Sequence, residues 1–236
     1  MPKKSAEIDI YDERFNYFQD IYFSRPTKFT SEEIAYRLII KAIKEEYMPG
    51  DILQERTLAE KFSMSRTPIT IALNRLISEG VLKKMPKKGC IIPNLVKSDA
   101  QNAFYARVLL ESEACKKIAE NHTDKVIEVL QDILLKTEEA VKEKHFVNYS
   151  FYDERFHYAI MFFYGNEYIY EAWKRIYLRC NLYTRQFDRY FATNDIIHGN
   201  TLKAHKEIFD AIKNHDSSKV AKLIENHILD ALNKIF

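Results

Sequence analysis

Glycine and proline are scarce in this chain of 236 residues, with 5 and 6 copies. Little material is left for turns, and long helices are expected. Cysteine is sparser still. Cys90, Cys115 and Cys180 form an odd set with no short pairing, which fits a reduced cytoplasm better than a disulfide framework. No run of 18 apolar residues occurs, and the two N-terminal lysines are followed by no apolar stretch. Neither a membrane span nor a signal peptide is expected. There is also no excess of one charge. Lys and Arg number 36 against 34 Asp and Glu, a formal charge of +2, so a polyanion would have to meet a local basic patch. No repeat or low-complexity tract is evident. What is present is 46% hydrophobic and 30% charged residues, enough to build real cores rather than a disordered chain.

The most informative stretch is 55–92. Ile69, Ala72, Leu73, Leu76 and Ile77 recur at i, i+3, i+4, i+7 and i+8 and make one apolar stripe of a helix. Ser65 is placed to cap it, Pro68 is tolerated in its first turn, and Gly80 suits the residue just past its end. The opposite face carries Arg66, Thr67, Thr70, Asn74 and Arg75. Short polar and guanidinium groups at the start of a helix packed on its other side suit a DNA major groove. A basic hairpin follows, with Lys83, Lys84, Lys87 and Lys88 and no acid between Val81 and Ile92. It would serve as a wing for phosphates or the minor groove. An ordinary helical hairpin with a solvated lysine run is the plain alternative.

Around this stretch the chain is expected to divide in three. In 1–29, Tyr11, Phe15, Phe18 and Tyr22 share a helical face beside Asp9, Asp12, Glu13 and Asp20. Such an extension suits docking on another part of the protein or on a partner subunit. A winged helix-turn-helix of three helices and a small β-hairpin is expected over 30–95, opened by a Thr30–Glu33 capping box and an apolar stripe of Ile34, Leu38, Ala42 and Ile43. Pro93-Asn94-Leu95 reads as a linker, and Ser98 with Gln101 as a second capping box. Over 96–236 an all-α antiparallel bundle is expected, with helices near 99–121, 124–144, 146–164, 167–192, 201–214 and 218–235. The fold class is mainly α.

Asp153 and His157 fall at i and i+4 on an inward face with Tyr149, Phe156 and Ile160. His205 lies on the stripe of Leu202, Ile208, Phe209 and Ile212, and His227 on that of Val220, Leu223, Ile224 and Ile228. A buried carboxylate is costly unless paired, and three core-facing histidines are unusual. One divalent cation would satisfy all four groups. Hydrogen bonds from single core histidines to backbone would satisfy them separately. Imidazole suits zinc, nickel, copper or iron, and the carboxylate admits manganese; zinc, nickel or manganese is the expected ion. His122, His145, His198 and His215 fall at expected helix ends and read as surface groups.

These residues resemble the GntR family of bacterial transcription regulators, FadR subfamily, with an FCD-type effector domain. The N-terminal pattern is Pro49-Gly50-Asp51-Ile52-Leu53-Gln54-Glu55, Leu58-Ala59-Glu60-Lys61-Phe62, Ser65-Arg66-Thr67-Pro68, Ala72-Leu73-Asn74-Arg75-Leu76, Glu79-Gly80-Val81-Leu82 and Lys88-Gly89. The C-terminal pattern is Arg107-Val108-Leu109-Leu110-Glu111, Asp153-Glu154-Arg155-Phe156-His157, His205 with Ile208 and Ala211-Ile212, and Asn226-His227. The resemblance implies that Arg56, Arg66 and Thr67 contact operator DNA and that Lys87, Lys88 and Gly89 form the wing tip. Ser65, Thr70 and Asn74 complete the expected DNA-binding set. The resemblance further implies that Asp153, His157, His205 and His227 are metal ligands and that Arg107 faces the effector; Arg179 is a second candidate for a similar role. A guanidinium would clamp a carboxylate whose other oxygen reaches the metal. The chain departs from the family at Thr70 and Ile71, which replace its usual Arg-Glu pair.

The expected protein is therefore a homodimeric regulator binding double-stranded operator DNA under control of a small carboxylate metabolite. It would work in the bacterial cytoplasm, on the nucleoid when bound, with no membrane partner. A metalloenzyme using the Asp/His₃ site is the first alternative. It lacks an extra general base beside the ligands, since Glu154 is turned about 100° from Asp153 on a helix. A purely structural metal is the second.

Overall fold

In a computed structural model, residues 30–94, 96–191 and 195–235 are described, with side chains at 45, 146–148 and 185–199 excepted. The expected helix within 1–29 lies outside them, as does Leu95. The chain runs α1 (Ser31–Glu45), β1 (Ile52–Leu53), α2 (Glu55–Lys61), α3 (Arg66–Ser78), β2 (Lys83–Met85) and β3 (Gly89–Ile91). Six helices follow: α4 (Lys97–Glu120), α5 (Asp124–Lys142), α6 (Phe146–Tyr164), α7 (Glu167–Phe191), α8 (Asp195–Lys213) and α9 (Ser217–Ile235).

The first half is a winged helix. Thr30 caps α1, its hydroxyl accepting from the Glu33 amide at 3.2 Å. The buried face of α1 is Ala35, Tyr36, Ile39, Ile40, Ala42 and Ile43, which includes Ala42 and Ile43 of the expected stripe. Ile34 and Leu38 are only half buried, and α1 packs against α7 as well as α3. In α3, Pro68, Ile69, Ala72, Leu73 and Leu76 are buried. Ser65 takes the cap position but makes no side-chain cap bond. The helix stops at Gly80, whose φ of +74° is costly for any side chain. The sheet order is β1-β3-β2, antiparallel throughout, with Ile52 opposite Ile91 and Met85 opposite Gly89. The wing tip is Pro86 followed by Lys87 at φ +63°, closed by the Lys88 amide to the Met85 carbonyl at 3.1 Å.

The second half is the helical bundle. Its core is built on Phe104, Ile118, Leu130, Phe156, Trp173, Ile208, Ile224 and neighbours, and α9 packs along α4. Two boundaries differ from expectation. The helix expected from 201 begins at Asp195 and runs through Gly199. One helical glycine costs only about 1 kcal/mol, which packing of α8 on α4, α5 and α9 offsets. The Ser98–Gln101 capping box does not form either. α4 starts at Lys97 with Val96 as its cap, and Asp99 of its first turn is drawn to Arg179.

The two halves are joined by buried contacts. Leu178 and Leu182 of α7 belong to the winged-helix core. The Lys44 ammonium at the end of α1 donates to both carboxylate oxygens of Glu154 on α6, at 2.8 and 3.1 Å, and both residues are buried. On the other side, the Arg179 guanidinium donates to Asp99 (2.9 Å through Nε) and to the Gly80 carbonyl (3.3 Å). It thus grips the end of α3.

Candidate metal centre and DNA-reading surface

His157 stands on α6, His205 on α8 and His227 on α9, and their rings converge. The His205 and His227 Nε2 atoms are 3.0 Å apart, and those of His227 and His157 3.2 Å. Two nitrogens each about 2.1 Å from one ion sit about 3.0–3.4 Å apart for right to tetrahedral angles. The spacing therefore fits a single cation. Asp153, one turn before His157, brings its Oδ1 to 3.8 Å from the His205 Nε2. His205 is fully buried and stacks on Phe156, centroids 4.2 Å apart. Its Nδ1 is buried without a partner. Burial first, and the neighbouring imidazoles second, hold His205 well below the ordinary histidine range, and the same two causes depress His227. Both rings are then neutral, the form that binds metal.

That depression sets an acid limit for the metal-free protein. The unfolded chain takes up protons at the ordinary value of 6.5, whereas folded His205 and His227 take them up only at lower pH. Stability present above the unfolded value is thus lost as pH falls below it towards the folded values. The slope reaches up to about 1.4 kcal/mol per pH unit for each histidine. Urea unfolding of chelator-treated protein should show a plateau at neutral pH and a fall below about pH 6.5. A flat profile down to about pH 5 would mean the folded rings take protons freely.

Behind His157 lies a buried carboxylate. Glu111 on α4 has no exposed surface and accepts from the Trp173 indole (2.8 Å), from the Arg107 Nε (2.6 Å) and, at 2.6 Å, meets the His157 Nδ1. Burial alone would raise the Glu111 carboxyl, but the Arg107 guanidinium and His157 hold it below the usual carboxylate range. Glu111 entered the sequence pattern without a role. Its signal was there, an acid four residues after Arg107 on the face of Phe104, Val108 and Cys115.

A cavity of about 140 Å³ opens beside the imidazoles. Arg107, Asp153, His157 and His227 line it, and so do Asn181 and Thr201. Arg107 also lies over the Tyr177 ring, 4.6 Å from its centroid. Arg179 does not line this cavity. The expectation that it faces the effector is corrected: it projects from α7 to the opposite side, where Asp99 and the end of α3 claim its donors.

On the winged helix, Ser65, Arg66, Thr67 and Asn74 are exposed along the outer face of α3. Thr70 is half buried and turns its hydroxyl onto the Arg66 carbonyl at 3.0 Å. Ile71 is 47% exposed on the same side. Arg75, read from the sequence as part of this face, instead pairs with Glu33 and Glu79 and lies over the Tyr36 ring. Arg56 is exposed on α2 beside Glu60. Lys83, Lys84, Lys87 and Lys88 are all exposed. Gly89 belongs to the sheet rather than to the tip. At φ +105°, a side chain there would strike the Leu53 carbonyl.

A winged helix with an exposed recognition face, followed by a six-helix bundle, defines a DNA-binding transcription regulator with a helical C-terminal domain. The chain belongs to the bacterial regulatory proteins of the gntR family, whose model matches residues 30–92, and it carries the FCD domain, matched over 102–230. It is similar to the gluconate operon transcriptional repressor of Bacillus subtilis, 24% identical over 212 residues, covering 87% of this chain and 85% of the relative. It is also similar to the HTH-type transcriptional repressor RspR of Escherichia coli, 20% identical over 204 residues, covering 86% and 87%. In fold it resembles E. coli McbR/YncC, with a TM-score of 0.80 at 20% identity over 88% of this chain and 97% of that one. The relatives are regulators of transcription, not enzymes. Among the described residues no helix is long and apolar enough to cross a membrane.

Proposed function

We propose that this regulator senses a small hydroxylated carboxylate at a divalent metal ion, and that this ligand sets its affinity for operator DNA. The observation that carries the reading is the convergence of three imidazoles beside a cavity that Arg107 also lines. His157, His205, His227 and Asp153 would hold zinc, nickel or manganese, leaving positions for a ligand oxygen. When bound, the ion supplies Lewis-acid attraction for a carboxylate. Arg107, buried and held charged by Glu111, faces the same carboxylate. Amides and hydroxyls of Asn181, Thr184, Asn200 and Thr201 on the cavity wall suit ligand hydroxyl groups better than an apolar tail.

The reader of this signal is the domain over 30–95 and its sensor the bundle over 96–236. In a homodimer, two recognition helices would enter successive major grooves about 34 Å apart. Ser65, Arg66, Thr67 and Asn74 face the bases. Ile71, where the family has an acid, suits the methyl group of thymine. Arg56, Lys87 and Lys88 meet phosphates in a salt-dependent way. Two helices link the cavity to this surface. α6 carries Asp153 on the cavity and Glu154 on Lys44, while α7 carries Tyr177 and Asn181 on the cavity and Leu178 and Leu182 in the winged-helix core. A ligand must bind the DNA-competent and incompetent arrangements unequally to shift them, and tenfold in operator affinity needs about 1.4 kcal/mol.

The base-reading claim is tested at Arg66. Arg66→Ala should weaken specific operator binding by about 1–3 kcal/mol and leave nonspecific binding nearly unchanged. Equal losses on operator and random DNA would reassign Arg66 to phosphate contact.

A further inference from the structure

We infer that Glu111 is a positioning residue of the sensor, which fixes the proton of His157 on Nδ1 so that its Nε2 lone pair points at the metal. This rests on the metal reading above. The argument starts from the imidazole, which in its neutral form carries one N–H, on either nitrogen. Only the Nδ1–H form offers Nε2 to a cation. At His157 the choice is made by the neighbour. Glu111 is a buried acceptor with its Oε2 at 2.6 Å from Nδ1. Arg107 also approaches Nδ1, but its Nη2 is 3.4 Å away and is itself 3.4 Å from the same Glu111 oxygen. The shorter contact, to a full negative charge, decides the tautomer. At His205 nothing plays this part, since its Nδ1 is buried with no partner.

The carboxylate is in turn immobilised. Its other oxygen accepts from the Arg107 Nε and from the Trp173 indole. Three helices, α4, α6 and α7, therefore meet at one acid. It holds two groups of the sensor at once: the imidazole that would bind the metal and the guanidinium that would meet the carboxylate ligand. Partners of this kind behind ligating histidines typically change metal affinity 10–100-fold when removed.

Glu111→Gln is the direct test. An amide N–H facing His157 would favour the Nε2–H form, so Ni²⁺ affinity by calorimetry should fall roughly 10–100-fold. The effect should vanish in a His157→Ala background, because the acid acts through that ring. Trp173→Phe removes a donor to the same carboxylate without touching its charge. It should lower the thermal midpoint of the metal-free protein but leave Ni²⁺ affinity within about threefold, a smaller effect than loss of an orienting carboxylate. A Glu111→Gln protein with wild-type Ni²⁺ affinity, or an equal loss with and without His157, would overturn the inference. So would a nitrogen-15 spectrum of the metal-free wild-type protein showing His157 protonated on Nε2, a measurement that needs no variant to fold. Failure of the wild-type protein to bind Ni²⁺, Zn²⁺ or Mn²⁺ would instead sink the metal reading on which this one stands.

Discussion

Replacing Lys44 with methionine should destabilise the protein by about 3–5 kcal/mol and abolish its response to ligand. The side chain is 110 residues from its partner in sequence and crosses from the winged helix to the bundle. Lys44 and Glu154 are each at most 6% exposed. Deleting the cation leaves a buried carboxylate with much of its compensation gone, and that uncompensated charge is what makes such variants costly. The pair itself adds little net stability, because desolvation of both charges nearly offsets their attraction. A Lys44→Met, Glu154→Leu double variant should therefore recover most of the lost stability. It should not recover the coupling, because the polar tie between α1 and α6 remains absent. Urea denaturation gives the first quantity, and operator titration with and without candidate acids gives the second. A loss below about 1 kcal/mol in Lys44→Met would show that water reaches the pair as at a surface bridge. An intact ligand response in the double variant would move the coupling route to α7.

How much of this was legible in the sequence depends on the range of the interaction. Local signals read well. The stripe of α3, its proline and its terminal glycine fixed the recognition helix, and Thr30 opened α1 as expected. The four candidate ligands were visible because an acid and imidazoles on apolar stripes are anomalies that helical spacing alone reveals. What failed to read was set by distant partners. The buried face of α1 is broader than its expected stripe, and α7, more than 130 residues later, packs on it as well as α3. Arg75 and Arg179 have the residue type expected at a DNA or ligand surface. Their direction, however, is decided by Glu33, Glu79 and Asp99, acids on other elements. Glu111 reads as an ordinary i+4 partner of Arg107, and only the fold brings His157, 46 residues away, against it. Gly89 was read with the lysines of the tip, although the Leu53 carbonyl across the sheet is what requires a glycine.

The second large effect concerns His205, whose ring is both a core element and a candidate ligand. A metal that binds only the folded protein stabilises it by about 4.1 kcal/mol when present at a thousandfold its dissociation constant. Removing one of three converging imidazoles should weaken binding at least 100-fold, and the increment then shrinks by about 2.7 kcal/mol. The measurement is the metal-dependent difference in unfolding free energy, taken for His205→Ala and for the wild type under the same free metal. This difference cancels the cavity left beside Phe156, which lowers both forms of the variant alike. It also cancels the gain from deleting a buried Nδ1 that has no partner. A wild-type increment that survives in His205→Ala would remove His205 from the ligand set. The same variant separates sensing from scaffolding. If the wild type loses operator control when metal is chelated, and His205→Ala behaves like that chelated protein at every ligand concentration, the ion is part of the receptor. If operator binding still responds to the acids after both treatments, the ion only braces α6, α8 and α9, and Arg107 binds the carboxylate without it.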